Sequence, residues 1–120
     1  MLIRKEDQPV AVREHVQKGA GAVSFRYFLE EKDAAGTGRL FGVLTIPPGA
    51  SIGPHTHEGE FELYYILSGE GVVTDNDETY VMREGDMMQC KSGNSHAVVN
   101  EGTEDLVFVA IILNDKSGEA

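Results

Sequence analysis

Short apolar stretches recur along the chain, and each is cut off by a cluster of Gly, Pro, Asn or Asp. Inside the stretches β-branched and aromatic residues dominate, and the breaks fall every eight to twelve residues, a rhythm that predicts an all-β sandwich or barrel rather than helices. The predicted strands are 22–29, 40–47, 53–57, 60–67, 70–75, 78–82, 86–90, 96–100 and 105–113. Between them lie Asp33-Ala-Ala-Gly-Thr-Gly38, Pro47-Pro-Gly49, Ser68-Gly69, Asp75-Asn-Asp77, Glu84-Gly-Asp86, Ser92-Gly-Asn94 and Asn100-Glu-Gly102, each with the residues tight turns demand.

Two strands carry a further signal. A strand with one wet face alternates apolar and polar residues, but Phe61-Glu-Leu-Tyr-Tyr-Ile-Leu67 and Leu106-Val-Phe-Val-Ala-Ile-Ile-Leu113 are apolar on both faces. If Glu62, Tyr64 and Ile66 point inward, then Phe61, Leu63, Tyr65 and Leu67 point outward and need cover. A homodimer packed sheet on sheet supplies it; loops or the N-terminal segment are the alternative. Residues 10–18 fit neither the helical nor the strand period, so a helical turn and an edge strand both stay open. The tail 114–120 is small and polar and is read as frayed.

Composition narrows the partners. The chain has 120 residues, 41% of them apolar, which suits a single domain with one core. Ten Lys and Arg against twenty Asp and Glu give a net charge of −10, a field that repels nucleic acid and anionic membrane surfaces. The longest apolar run, Leu106 to Leu113, is less than half of the roughly 20 residues needed to span a bilayer. With Cys90 as the lone cysteine no internal disulfide can form, and no signal-peptide pattern opens the chain, so a cytoplasmic protein is expected.

The chemistry concentrates in the histidines. His55 and His57 are two apart, and side chains two apart on a strand share a face. The turn at Glu58-Gly59 can return the chain so that Glu62 faces the same interior, and His96 from a later strand completes a cup of three imidazoles and one carboxylate. Burying such a set without an ion would cost several kcal/mol of desolvation and repulsion. One divalent metal ion is therefore expected, with Mn, Fe, Co, Ni, Cu and Zn all suited to these donors. His15 stands apart from the cluster and is read as an ordinary surface or core histidine.

These residues resemble the cupin superfamily. Its first motif runs Gly, five residues, His-x-His, three or four residues, Glu, six residues, Gly, and is matched over 49–69 by Gly49, His55, His57, Glu62 and Gly69. Its second runs Gly, five residues, Pro-x-Gly, two residues, His, three residues, Asn, and is matched over 85–100 by Gly85, Gly93, His96 and Asn100. Lys91 stands in place of the proline. The resemblance implies a jelly-roll barrel, the double-stranded β-helix, with these four side chains as metal ligands and Mn or Fe as favoured ions. It also implies dimers, and a likeness to the small single-domain cupins related to oxalate decarboxylases and germins.

Four protein ligands in a six-coordinate shell leave two positions open, which suit a bidentate small carboxylate or a substrate together with dioxygen. Strand parity assigns Tyr64, Ile66, Met88, Cys90, Val98 and Phe108 to the surrounding pocket, against the plainer reading of core packing. An enzyme acting on a small chelating carboxylate, by decarboxylation or oxygenation, is the leading functional expectation; a non-catalytic binding or sensing module is the alternative. Decarboxylation needs a proton donor, and apart from Glu62 the only nearby carboxylates are Glu58 and Glu60, at the rim. Lys91 near the mouth could draw anions inward.

Overall fold

Where the turn residues interrupt the apolar runs, the chain reverses, and the runs pair as antiparallel strands. The structure is a computed structural model describing residues 1–118. Among these are ten strands: β1 (Val10–Glu14), β2 (Ala22–Tyr27), β3 (Gly38–Ile46), β4 (Ser51–Thr56), β5 (Glu60–Ser68), β6 (Gly71–Asp75), β7 (Glu78–Met82), β8 (Met87–Cys90), β9 (Ser95–Val99) and β10 (Leu106–Asn114). The nine strands read from the pattern are all present, with ends shifted by at most two residues. The undecided segment 10–18 is two short pieces, β1 and a 3-10 turn at Val16–Lys18, which is why neither period fits it.

The strands form a six-stranded sheet, β1-β2-β3-β10-β5-β8, and a four-stranded sheet, β4-β9-β6-β7, facing each other as a jelly-roll barrel. Tyr64, Phe108, Leu44, Ile46, Ile66 and Leu106 from the larger sheet meet Val73 and Val98 from the smaller one, all at 2% exposure or less. β5 follows the expected parity: Glu62, Tyr64 and Ile66 are buried, while Tyr65 and Leu67 are 48% and 43% exposed. The outward residues of β10 join them, with Val109 opposite Tyr65 and Ile111 opposite Leu63, so a continuous apolar surface crosses the larger sheet. The N-terminal strand does not cover it, because β1 pairs with β2 at the far edge.

Three turns share one design. Pro47 to Ala50, Arg83 to Asp86 and Lys91 to Asn94 each close with the first carbonyl accepting from the fourth N–H, at 3.0, 2.9 and 3.0 Å. Each places a glycine third, Gly49, Gly85 and Gly93, with φ of 85°, 88° and 89°, a left-handed conformation that glycine adopts without strain. Lys91 occupies the first position of its turn, which needs only a carbonyl, so the missing proline leaves this turn intact. Lys91 itself is exposed.

The tail is partly held. The Asn114 N–H donates to the Thr37 carbonyl at 2.9 Å and the Asp115 N–H to the Gly59 carbonyl at 3.0 Å, so the first two residues of the segment expected to fray are held. Residues 119 and 120 lie outside the described residues.

Asn100 ties the barrel end together. Fully buried, it donates from its side-chain amide to the carbonyls of Ile46 and Glu104, both at 2.8 Å, and accepts from the Gly102 N–H at 2.9 Å. Asn100→Ala strands these three groups and is expected to destabilise the protein by about 2–4 kcal/mol, read as a lower urea midpoint with unchanged slope.

Candidate metal centre

The two sheets bring the histidines and the acid together from opposite sides. On the smaller sheet His55 of β4 lies directly across from His96 of β9. The β4–β9 register slips by one residue between Ile52 and His55, a bulge at Gly53-Pro54 that turns both Ile52 and His55 inward although they are three apart. His57 follows the end of β4 and is pinned by its backbone, its N–H donating to the Asn94 carbonyl at 3.2 Å and its carbonyl accepting from the Gly93 N–H at 2.7 Å. Glu62 reaches in from β5 on the larger sheet.

The four donors converge within 4.8 Å of one another. Glu62 Oε1 lies 2.8 Å from His96 Nε2, 3.0 Å from His57 Nε2 and 3.7 Å from His55 Nε2, and the Nε2 atoms of His57 and His96 are 3.1 Å apart. Neighbouring ligands about 2.1 Å from a shared ion stand roughly 3 to 3.5 Å apart, so the set fits a single divalent cation. Glu62, His57 and His96 are buried, and His55 is nearly so, with 11% of its side chain exposed.

Hydrogen bonding assigns the protons. His55 Nδ1 donates to the Gly53 carbonyl and His57 Nδ1 donates to Glu60 Oε2, both at 2.8 Å. In a neutral ring the other nitrogen, Nε2, then carries a lone pair and no hydrogen. The His57 lone pair then faces the Glu62 carboxylate at 3.0 Å and the His55 lone pair faces it at 3.7 Å, a repulsion that a positive charge among them relieves. The hydrogen bond to Glu62 raises the His57 pKa above the usual imidazole value, although burial opposes it. Burial pushes the Glu62 carboxyl up, yet the surrounding imidazoles of His55, His57 and His96, which stabilise its charge when they are protonated, outweigh burial and hold it well below the ordinary range. His96 is lowered by burial despite its contact with Glu62, and its Nδ1 is buried without a partner. A proton can satisfy part of the Nε2–carboxylate set; a divalent ion can satisfy all four donors, while His96 Nδ1 stays without a partner.

A shell behind the donors holds them in place. Arg39 grips Glu60 through both Nε and Nη2 at 2.8 Å, and Glu60 in turn holds His57. The hydrogen bond from Arg39, with further help from His57, depresses the Glu60 pKa against some desolvation. Glu60 is therefore an orienting carboxylate committed to two partners, while Glu58 is exposed. Behind His96 the Tyr64 ring stacks at 4.8 Å and 17°, with Phe108 beyond it at 4.7 Å.

A cavity of about 250 Å³ opens beside the cup, lined by His55, His57, Glu62 and Tyr64 together with Arg13, Val16, Gln17, Phe25, Tyr27, Arg39, Leu40 and Ile52. Of the six side chains that parity assigns to the pocket, Tyr64 lines this cavity. Ile66, Val98, Phe108 and Cys90 are buried, the first three within the apolar core, and Met88 borders a separate hollow near Tyr80 and Met87. Burial pushes the Cys90 thiol up to about 11, as for a small core residue. His15 is exposed and contacts the Gly19 carbonyl through Nδ1 at 3.1 Å. Sequence reasoning missed Arg13, Tyr27 and Arg39; the only available hint was Arg13 within the undecided segment.

A ten-stranded jelly roll with three histidines and a glutamate at one end defines a barrel whose cluster could hold one metal ion. The family model of the cupin domain matches residues 42–112, and the chain belongs to that family. It is 39% identical over 113 residues, 94% of this chain and 93% of the other, to a Thermotoga maritima protein named oxalate-binding protein. A Thermotoga maritima crystal structure described as a predicted oxalate decarboxylase superposes with a TM-score of 0.91 at 38% identity, covering 96% of this chain and all of that one. The cupin domain of Schizosaccharomyces pombe Cnp3, 20% identical over 88% of this chain and 69% of that one with a TM-score of 0.71, shares the fold.

Glu60→Gln weakens the acceptor that orients His57 and is expected to lower metal affinity about 10- to 100-fold, measured by chelator competition. His57→Ala or His96→Ala is expected to abolish stoichiometric metal by elemental analysis in a protein that remains folded. Since bound ions displace protons and the His57 pKa is raised, affinity falls as pH drops through the histidine range, by about tenfold per unit for each proton displaced. The same competition at pH 8 and pH 6 measures it.

Proposed function

We propose that the protein holds one divalent metal ion, Mn or Fe, on His55, His57, Glu62 and His96 and binds a small chelating carboxylate there. The observation that carries this reading is the inward set of Nε2 lone pairs against a buried carboxylate, which calls for a cation. Bound there, a divalent ion supplies Lewis acidity and open coordination positions for carboxylate oxygens. The protein's own part is to fix the imidazoles, back the cup with the apolar core that begins at Tyr64, and leave one side open to the cavity. The relative named for oxalate binding supports an acid of this class.

Binding is the better-supported half of this reading, and catalysis the further one. Decarboxylation leaves an electron pair on carbon that must take up a proton. Among the described residues, the cavity lining contains no carboxyl besides Glu62, and Glu60 behind it is committed to Arg39 and His57. A pocket of this size suits a small metabolite. The uncovered apolar face of β5 and β10 supports a homodimer closed sheet on sheet, and no helix among the described residues is long and apolar enough to cross a membrane.

Elemental analysis of the purified protein, followed by calorimetric titration with oxalate and a search for formate or carbon dioxide, tests the function. About one equivalent of Mn or Fe and of oxalate per chain is the expected result. Product in excess of protein adds catalysis, and failure to bind either metal or oxalate overturns the proposal. For the dimer, light scattering should give twice the chain mass, reduced to the chain mass by Tyr65→Glu; a monomeric wild type refutes it.

A further inference from the structure

Arg13 lines the cavity that holds the cup, and its chemistry is uncommitted. Its guanidinium lies 5.5 Å over the Phe25 ring, and Nη2 donates once, to the Tyr27 hydroxyl at 3.2 Å. Phe25 and Tyr27 are themselves stacked at 6.1 Å and 20°, so the guanidinium rests on an aromatic shelf with most of its five donors unspent. None of the ion pairs among the described residues involves Arg13, whereas the other arginine of the cavity, Arg39, is neutralised by Glu60. In a chain of net charge −10, a cation without an acid partner beside a ligand cavity runs against the overall balance.

The backbone after Arg13 is held with unusual care. His15, Gln17 and Lys18 have φ of 52°, 52° and 65°, left-handed values that non-glycine residues avoid and that persist where surrounding structure enforces them. The enforcement is visible: this strap lies so close to β4 that a β-carbon on Gly53 would run into the Gln17 carbonyl, and one on Gly19 into the Ser51 carbonyl. The Ser51 hydroxyl accepts from the Ala20 N–H at 2.8 Å. The Gly53 carbonyl, meanwhile, fixes His55. One glycine thus registers both the strap and a cup histidine.

We propose that Arg13, on its Phe25–Tyr27 shelf, is an anion subsite that selects acids bearing a second carboxylate beyond the metal-chelating group. This rests on the reading of the cup as a metal site for small carboxylates. The charges agree: a divalent ion less Glu62 leaves one positive charge, Arg39 cancels Glu60, and Arg13 contributes one more, so the cavity matches a dianion. So does the volume, since about 250 Å³ corresponds to roughly eight waters at ~30 Å³ each, room for an acid longer than oxalate. Arginine presents a planar fork that takes a carboxylate two-pronged, and stacking has already restricted its rotamers.

The test is calorimetric titration of protein loaded with one equivalent of Mn²⁺, using 2-hydroxyglutarate and 2-hydroxypentanoate. These share a five-carbon chain and a chelating head and differ in the distal carboxylate. The wild type is expected to favour 2-hydroxyglutarate by about ten- to a hundredfold, the range of a two-pronged charged contact. Arg13→Gln should erase that preference while keeping 2-hydroxypentanoate affinity and metal content, and Arg13→Lys should retain part of it. Equal affinities in the wild type, or a preference surviving in Arg13→Gln, overturns the subsite and leaves the metal-carboxylate reading standing. If neither acid binds, oxalate titrated into the same loaded protein separates the two readings: oxalate bound without either hydroxy acid overturns the subsite alone, and no binding of oxalate overturns the metal-carboxylate reading and the subsite with it.

Discussion

Everything at the open end of this barrel depends on one buried carboxylate. Glu62 comes from the larger sheet and meets three imidazoles from the smaller one, so it is the point at which the two layers touch through charge rather than apolar packing. A carboxylate taken out of water costs several kcal/mol unless compensated, and lone-pair nitrogens do not compensate it. The fold accepts this arrangement because the cost is local. Directly behind it Tyr64, Phe108, Ile66 and Leu44 form a dense apolar core that holds the sheets at fixed separation. The polar cup is thus built at the end of the core, where a cation can complete it.

The cup is precise because each donor is controlled from behind by a different device. His55 is aimed by a bulge and by the carbonyl of the bulged residue. His57 is aimed by Glu60, itself gripped by Arg39 from β3, so the third strand of the larger sheet reaches a histidine on the smaller one. His96 is held by ring stacking on Tyr64. These devices fix the orientation of all three rings and the tautomers of His55 and His57 before any ion arrives, which spares a bound ion the cost of ordering its ligands.

Strand positions and the cup were legible because both rest on the period of two. Alternation separates Glu62 from Phe61, and the motif spacings name the histidines. What alternation cannot say is how far along the barrel an inward residue sits. Ile66, Phe108, Cys90 and Val98 point inward as expected but lie in the body of the molecule, while the cavity is completed by β1, β2 and β3. The bulge at Gly53-Pro54 was also invisible, since an extra residue in a strand has no periodic signature. Arg13 was hidden for a related reason: its segment is half strand and half strap, so no single period describes it. The Arg39–Glu60–His57 chain depends on long-range pairing that one sequence does not display.

The net charge then acquires a meaning beyond solubility. A surface with ten excess negative charges repels small anions at long range, but at physiological ionic strength that field decays over roughly 8 Å. Attraction for a small anion would therefore have to be concentrated at the cavity, which the cup lines together with the exposed Arg13 and Arg39. Of these, Arg39 is spent on Glu60 and serves geometry, whereas Arg13 keeps its charge available. On the proposed reading, an acidic protein organised in this way would discriminate by contact rather than by steering. On that reading, an anion that could not engage a cation in the cup or Arg13 at close quarters would gain nothing to offset the repulsion met on approach, so the acidic exterior would sharpen a selectivity defined at the cavity.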